Sequence, residues 1–176
     1  WKGNFALDMD PDKAVMGWFK TWGVERTKKF MQAISKNEVV VRKGHTLMAQ
    51  LLCAGEFKAG LDLYAYRLAD LKYTRGCPVE IVFPDPTPAT PSPVGIIKRT
   101  TRPHAAALLL DYILSEPAQK IFVEAGRTSG RRGLNPRYPD LDVESRGVKF
   151  VLLTPEDAVQ YDKPYQQLRE EFLLNR

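Results

Sequence analysis

Three short stretches carry the side chains best suited to binding. Asp8, Asp10 and Asp12 alternate along one loop. Three carboxylates so close repel phosphate or carbonate and accept a cation or an amine. Asp10, directly before Pro11, equally fits a helix N-cap, with a proline in the first turn and an acid next. Gly44, His45 and Thr46 form the second stretch. The glycine permits a tight turn, and His45 or Thr46 can cap the helix that follows. His45, one of two histidines, suits a metal ligand or hydrogen-bond donor, and equally a first-turn surface residue. In the third, Asp62, Tyr64 and Tyr66 alternate with Leu61, Leu63 and Ala65. This puts a carboxylate and two phenols opposite an apolar stripe. The alternative is a polar face with purely structural hydrogen bonds.

No reactive constellation accompanies them. The sequence has no G-x-S-x-G, no phosphate-binding glycine loop, no H-E-x-x-H and no Cys–His pattern. His104 follows Arg102-Pro103 in a first helical turn and reads as a surface residue. Cys53 and Cys77 fit no zinc spacing. Cys53 lies on an apolar helix stripe, where a buried free thiol is expected. A disulfide is the alternative in an exported protein. The absence of a nucleophile–base pair argues against an enzyme; an enzyme that draws residues from a missing half is a third alternative.

The elements that must position these residues alternate between helix and strand, which makes an α/β protein. Residues 5–7 read as a buried strand. A helix from the Asp10 cap to about Trp22 turns Val15, Trp18, Phe19 and Trp22 inward, and Gly23 closes it. A second helix spans about 25–36, and residues 38–41 form a short strand. The helix after Gly44 carries Leu47, Met48, Leu51 and Leu52. Residues 60–66 alternate as a strand, 68–75 form a helix ended by Gly76, and 79–83 form another strand. Five prolines between 84 and 93 mark a stiff, extended connector. Residues 94–98 read as a strand and 102–114 as an Ala/Leu-rich helix. Ser115-Glu116-Pro117 caps a helix with Ile121 and Phe122 inward. Residues 127–147 look irregular and 148–153 form a strand. Thr154 caps a short turn, and an amphipathic helix follows over 163–174.

The 176 residues are 44% hydrophobic and 27% charged, ordinary for a globular chain. No apolar run approaches the roughly 20 residues of a membrane helix. The formal charge of +5 admits a polyanion partner. Its main concentration is Arg99, Arg102, Arg127, Arg131, Arg132 and Arg137, set among Pro, Gly, Ser and Thr without interleaved aromatics. A solvated basic surface is expected there, with no nucleic acid partner. A basic nucleic-acid-binding α/β domain is the alternative of another class. Trp1 opens without an initiator Met or signal-like segment, so the chain is expected to begin mid-fold, with a signal peptide upstream in its parent.

Several segments in order resemble one family. They are Trp1-Lys2-Gly3, Ala54-Gly55-Glu56-Phe57, Tyr64-Ala65-Tyr66-Arg67, Gly76-Cys77-Pro78-Val79-Glu80, Pro103-His104-Ala105-Ala106-Ala107, Leu114 through Lys120, and Gly126-Arg127. Together they are similar to the family 1 extracellular solute-binding proteins of ABC importers, and closest to the ferric-ion-binding subgroup. The resemblance covers about residues 1–135. It implies a type II periplasmic-binding-protein-like fold of two α/β lobes with ligand in the cleft. Residues 1–83 would form most of lobe 2 and 84–93 the hinge crossover. Residues 94–135 would return to lobe 1, and 136–176 would pack near the hinge. The N-terminal half of lobe 1 would be missing. The resemblance further implies a periplasmic or extracellular protein that hands its solute to an ABC permease.

Ferric-binding relatives carry an Asn-x-Tyr-Tyr pattern whose two tyrosinates bind iron. Here Asp62 replaces the Asn, Tyr64 matches, and Ala65 stands where the second Tyr belongs. The metal expectation therefore rests on Tyr64 and Asp62, with Fe3+ as cargo. The ligand-binding expectation takes in Asp8, Asp10, Gly44, His45, Thr46, Asp62, Tyr64 and Tyr66. An organic solute such as a polyamine, phosphonate or sugar phosphate is the alternative.

Overall fold

The computed structural model describes residues 1–174. Residues 175 and 176, the end of the expected 136–176 segment, lie outside the described residues. Strand β1 (Phe5–Asp8) is central in a parallel sheet of order β2-β1-β3, with β2 (Val40–Arg42) and β3 (Ala59–Leu61) at its sides. Helices α1 (Asp12–Trp22) and α2 (Val24–Ser35) link β1 to β2, and α3 (His45–Cys53) links β2 to β3. Successive β1 side chains point to opposite faces. Leu7 enters a core with Val15, Phe19, Met31 and Leu168. Ala6 meets Met48 and Phe57. Helices thus cover both faces of the sheet, the arrangement parallel sheets require.

Helix α4 (Ala65–Arg75) follows β3 and stops at Gly76 in the left-handed conformation. A second core joins Leu68 and Leu71 of α4 to Val79, Ile81, Tyr138 and Leu141. A parallel pair, β4 (Thr87–Ala89) and β5 (Phe150–Leu152), lies against α1. The approach is close: a Cβ added at Gly17 would sit 2.3 Å from the Pro88 Cβ. Helices α5 (Pro103–Leu114) and α6 (Glu116–Glu124) come next, then a 3-10 turn at Pro139–Leu141. Helix α7 (Pro155–Arg169), continued by a π turn at Glu170–Leu174, packs on α1 and the first core.

Several expectations need correction. Asp10 is not a helix cap: Pro11 holds that position without a side-chain bond, because the Asp10 carboxylate is drawn to α7. Neither His45 nor Thr46 caps α3, whose N-cap is Gly44. Leu47 is exposed, not inward. The strand over 60–66 ends at Leu61. Asp62 turns to φ 58° and Tyr64 becomes the N-cap of α4, so the alternation there is not a strand's. The second strand starts at Val40, after Glu38 takes φ 53°.

Residues 79–83 keep a two-residue burial rhythm, with Val79 and Ile81 inside and Val82 outside. They join no ladder among the described residues. The proline connector contains β4. Residues 94–98 are exposed and form no strand. Ile121 and Phe122 face outward, and Ala118 is the residue of α6 that is buried. Ser115 is the N-cap of α6 as expected, but its hydroxyl donates back to the Tyr112 carbonyl at 2.6 Å and accepts no amide of the helix. Thr154 starts one long helix through a capping box with Asp157. Cys53 is no free thiol: it is bonded to Cys77, with Cα atoms 5.3 Å apart.

Candidate solute-binding edge

The three strands of the first sheet are parallel, so their C-terminal ends share one edge. Asp8 is paired with Arg42 in the ladder, and Leu7 with Leu61. Asp8, the Arg42–Thr46 turn and Asp62 therefore meet at that edge. Ligands of open α/β sheets bind at such an edge. The starts of α1, α3 and α4 lie on the same side, since each follows the loop leaving a strand.

Asp8 organises the edge from within. It is only 4% exposed. One oxygen accepts the Asp10 amide at 2.9 Å and the other the Gly44 amide at 2.8 Å. Gly44 needs its freedom, because its φ of 100° is open mainly to glycine. The turn then aims the His45 ring between two carboxylates. Nδ1 lies 3.6 Å from Asp8 and Nε2 3.4 Å from Asp62. The bond to Asp62 holds His45 above its ordinary pKa, with burial pulling the other way. Burial pushes the Asp62 carboxyl up, and His45 opposes the shift.

Asp62 sits in left-handed backbone, a conformation Asp tolerates better than most residues. Strain of this kind collects at functional sites. Beyond it runs a stack of rings. His45 lies on Tyr64 with centroids 4.2 Å apart, Tyr64 on Tyr66 at 5.6 Å, and the Arg127 guanidinium over Tyr66 at 3.6 Å. Neither phenol hydroxyl has a hydrogen-bond partner among the described residues, and Tyr64 is 39% exposed.

The structure thus gathers Asp8, Gly44, His45, Asp62, Tyr64 and Tyr66 into one cluster. Thr46 is exposed, next to His45. Asp10 turns aside, accepting a short hydrogen bond from Tyr165 and pairing with Arg169 at 3.6 Å. Burial and that carboxylate push the Tyr165 phenol well above its usual pKa. Asp12 accepts the Lys13 amide at 2.8 Å. Sequence reasoning missed Arg127, Tyr165 and Arg169 as neighbours of the edge. The i,i+4 spacing of Tyr165 and Arg169 puts them on one helix face, but nothing local says what that face meets.

Among the described residues no group of three His, Cys, Asp or Glu side chains is placed to hold a metal ion, and no helix is long and apolar enough to cross a membrane. Residues 12–128 match the family described as bacterial extracellular solute-binding protein. No curated protein and no solved structure matches the chain. Proteins of this family are non-catalytic solute-binding components of ABC-type transport systems and imply a cognate permease. The match spans more than half of the chain and takes in Gly44, His45, Asp62, Tyr64, Tyr66 and Arg127 of the edge, with Asp8 just before it, so the chain belongs to the bacterial extracellular solute-binding proteins.

Proposed function

We propose that the edge formed by Asp62, His45, Tyr64 and Tyr66 captures a cationic organic solute, with a polyamine as the representative cargo. One observation carries the proposal. Asp62 keeps one oxygen toward His45 and the other unengaged, beside two phenols with unused hydroxyls. Asp8 already occupies the Gly44 amide before α3, which removes that amide as a donor to an anionic solute. Arg127 over Tyr66 shows that the ring face accepts a cation.

A hard cation such as Fe3+ has less to hold it. Both Asp8 oxygens accept backbone amides, so the expected pair of Asp62 and Tyr64 gains no further donor from Asp8. Titration with spermidine and, separately, with ferric ion distinguishes the two cargo classes. Saturable spermidine binding supports the proposal. A tyrosinate-to-iron absorption band that Tyr64→Phe abolishes would replace it with an iron receptor.

On the same proposal residues 1–83 form most of the second lobe, 84–93 cross the hinge, 94–135 return to the first lobe, and the C-terminal segment packs near the hinge. The exposed Leu108, Leu109 and Leu114 of α5, a helix without a buried residue, support a lobe continued by further chain. Ligand would close the lobes for docking on the permease. The Cys53–Cys77 bond supports placement in the periplasm or outside the cell, where disulfides persist.

A further inference from the structure

Helices α3 and α4 carry the solute edge at one end and share a covalent bond at the other. Helix α3 begins at His45 and α4 at Ala65, with Tyr64 as its N-cap, so both lead away from the edge. Cys53 is the last residue of α3. Cys77 follows Gly76, the left-handed residue that stops α4, and its amide donates to the Leu71 carbonyl at 3.3 Å. Each cysteine therefore rides on the far end of its helix, and the bond between them holds those ends with Cα atoms 5.3 Å apart. The loop that the bond closes contains Asp62, Tyr64 and Tyr66, and His45 opens the helix that leads into it.

At the near ends, the His45 ring lies on Tyr64 with centroids 4.2 Å apart and planes 9° from parallel, and Nε2 is 3.4 Å from Asp62. These contacts join the starts of two different helices, so they need the helices in one fixed relation. The noncovalent interface between the helices is thin. Met48, the large buried side chain of α3, turns instead to Ala6 and Phe57. What α3 buries toward α4 is Ala49, beside Leu68, Ala69 and Leu71, with Leu52 and Cys53 only partly buried. A methyl group removes little apolar surface from water. The 9 residues of α3 extend about 14 Å, so a swing of about 10° carries one end through roughly 2.4 Å. A shift of that size separates stacked rings.

We propose that the Cys53–Cys77 bond is a positioning device for the solute edge: by pinning α3 to α4 at their far ends, it keeps the His45 ring on Tyr64 and within reach of Asp62. The two cysteines touch no solute and act through the helices, as a supporting shell acts on a binding site. The effect on solute affinity rests on the cationic-solute reading given above; the effect on the ring stack does not.

The test is proton NMR of the full chain and of Cys53→Ser/Cys77→Ser, with spermidine titrated into each by calorimetry. The His45 ring protons, told from those of the exposed His104 by His45→Gln, should lie upfield in the parent because the Tyr64 face covers them. In the double variant they should move most of the way toward the His104 position, and spermidine should bind about tenfold more weakly. Gly17→Ala, which loses stability at its contact with Pro88, should keep the parent's His45 shift and affinity. A parent-like His45 shift in the double variant, or an equal loss of that shift in Gly17→Ala, would overturn the proposal. If the parent takes up no spermidine, the cargo reading falls and the His45 shift still decides the role of the bond. Should the serine pair not fold by circular dichroism, Cys53→Ala/Cys77→Val, which keeps both positions apolar, is measured in its place against the same outcomes.

Discussion

The Asp8 carboxylate accepts the Gly44 amide at 2.8 Å, tying the end of β1 to the start of α3. With its other oxygen on the Asp10 amide, one buried side chain sets both loops that flank the solute edge. Asp8→Ala leaves two amides without this acceptor. Hydrogen bonds to charged groups contribute about 1.5–3 kcal/mol each. A loss of roughly 3 kcal/mol, read from urea unfolding, is expected, with Asp8→Asn milder.

The Cys53–Cys77 bond closes a loop between residues 24 apart in sequence. It fastens the end of α3 to the segment that buries Val79 and Ile81. A cross-link over such a loop contributes about 3 kcal/mol. The Cys53→Ser/Cys77→Ser variant should unfold at correspondingly lower denaturant, and reductant should shift the parent but not the variant.

Gly17 and Pro88 meet where α1 crosses β4. A methyl group at position 17 would fall 2.3 Å from the Pro88 Cβ, an atom fixed by its ring. Gly17→Ala should destabilise by about 1–3 kcal/mol through overpacking. Adding Pro88→Gly removes the clashing atoms and should recover part of that loss in a double-mutant cycle.

Asp157 caps α7 and receives Lys20 at 2.6 Å. That hydrogen bond, first, and the Thr154 amide hold it below its ordinary carboxylate pKa of 3.8. A carboxyl depressed in the folded state stabilises fully above its unfolded pKa and loses that contribution as pH falls through the folded value. Unfolding midpoints should therefore fall with acid below about pH 4. In Asp157→Asn this component of the slope should vanish. Thr154→Ala removes the reciprocal cap and should cost about 1 kcal/mol at neutral pH.

How much of this was legible in the sequence depended on range. The α1 stripe and the Gly76 stop read well, with Val15, Phe19 and Gly76 where periodicity and left-handed preference place them, whereas Leu47, Ile121 and Phe122 of α3 and α6 face outward. The strand expected over 79–83 joins no ladder among the described residues, because a partner strand leaves no local trace in the sequence. The 60–66 alternation misled because Asp62 changes backbone region between two apolar residues that both pack inward. Six of the eight candidate site residues meet at the edge, since all follow strands whose ends share it. Asp10 went elsewhere because Tyr165, 155 residues away, donates to it. The disulfide likewise depended on a Cα separation that only the folded chain supplies.

The most direct test of the account is calorimetric titration of spermidine into the chain and into Asp62→Asn. Asn also tolerates the left-handed backbone at position 62, so the change removes charge while sparing the turn. The account predicts saturable binding by the parent and at least tenfold weaker binding by Asp62→Asn, with both proteins equally folded. Equal affinity for the two proteins, or no saturable heat from the parent, would contradict it.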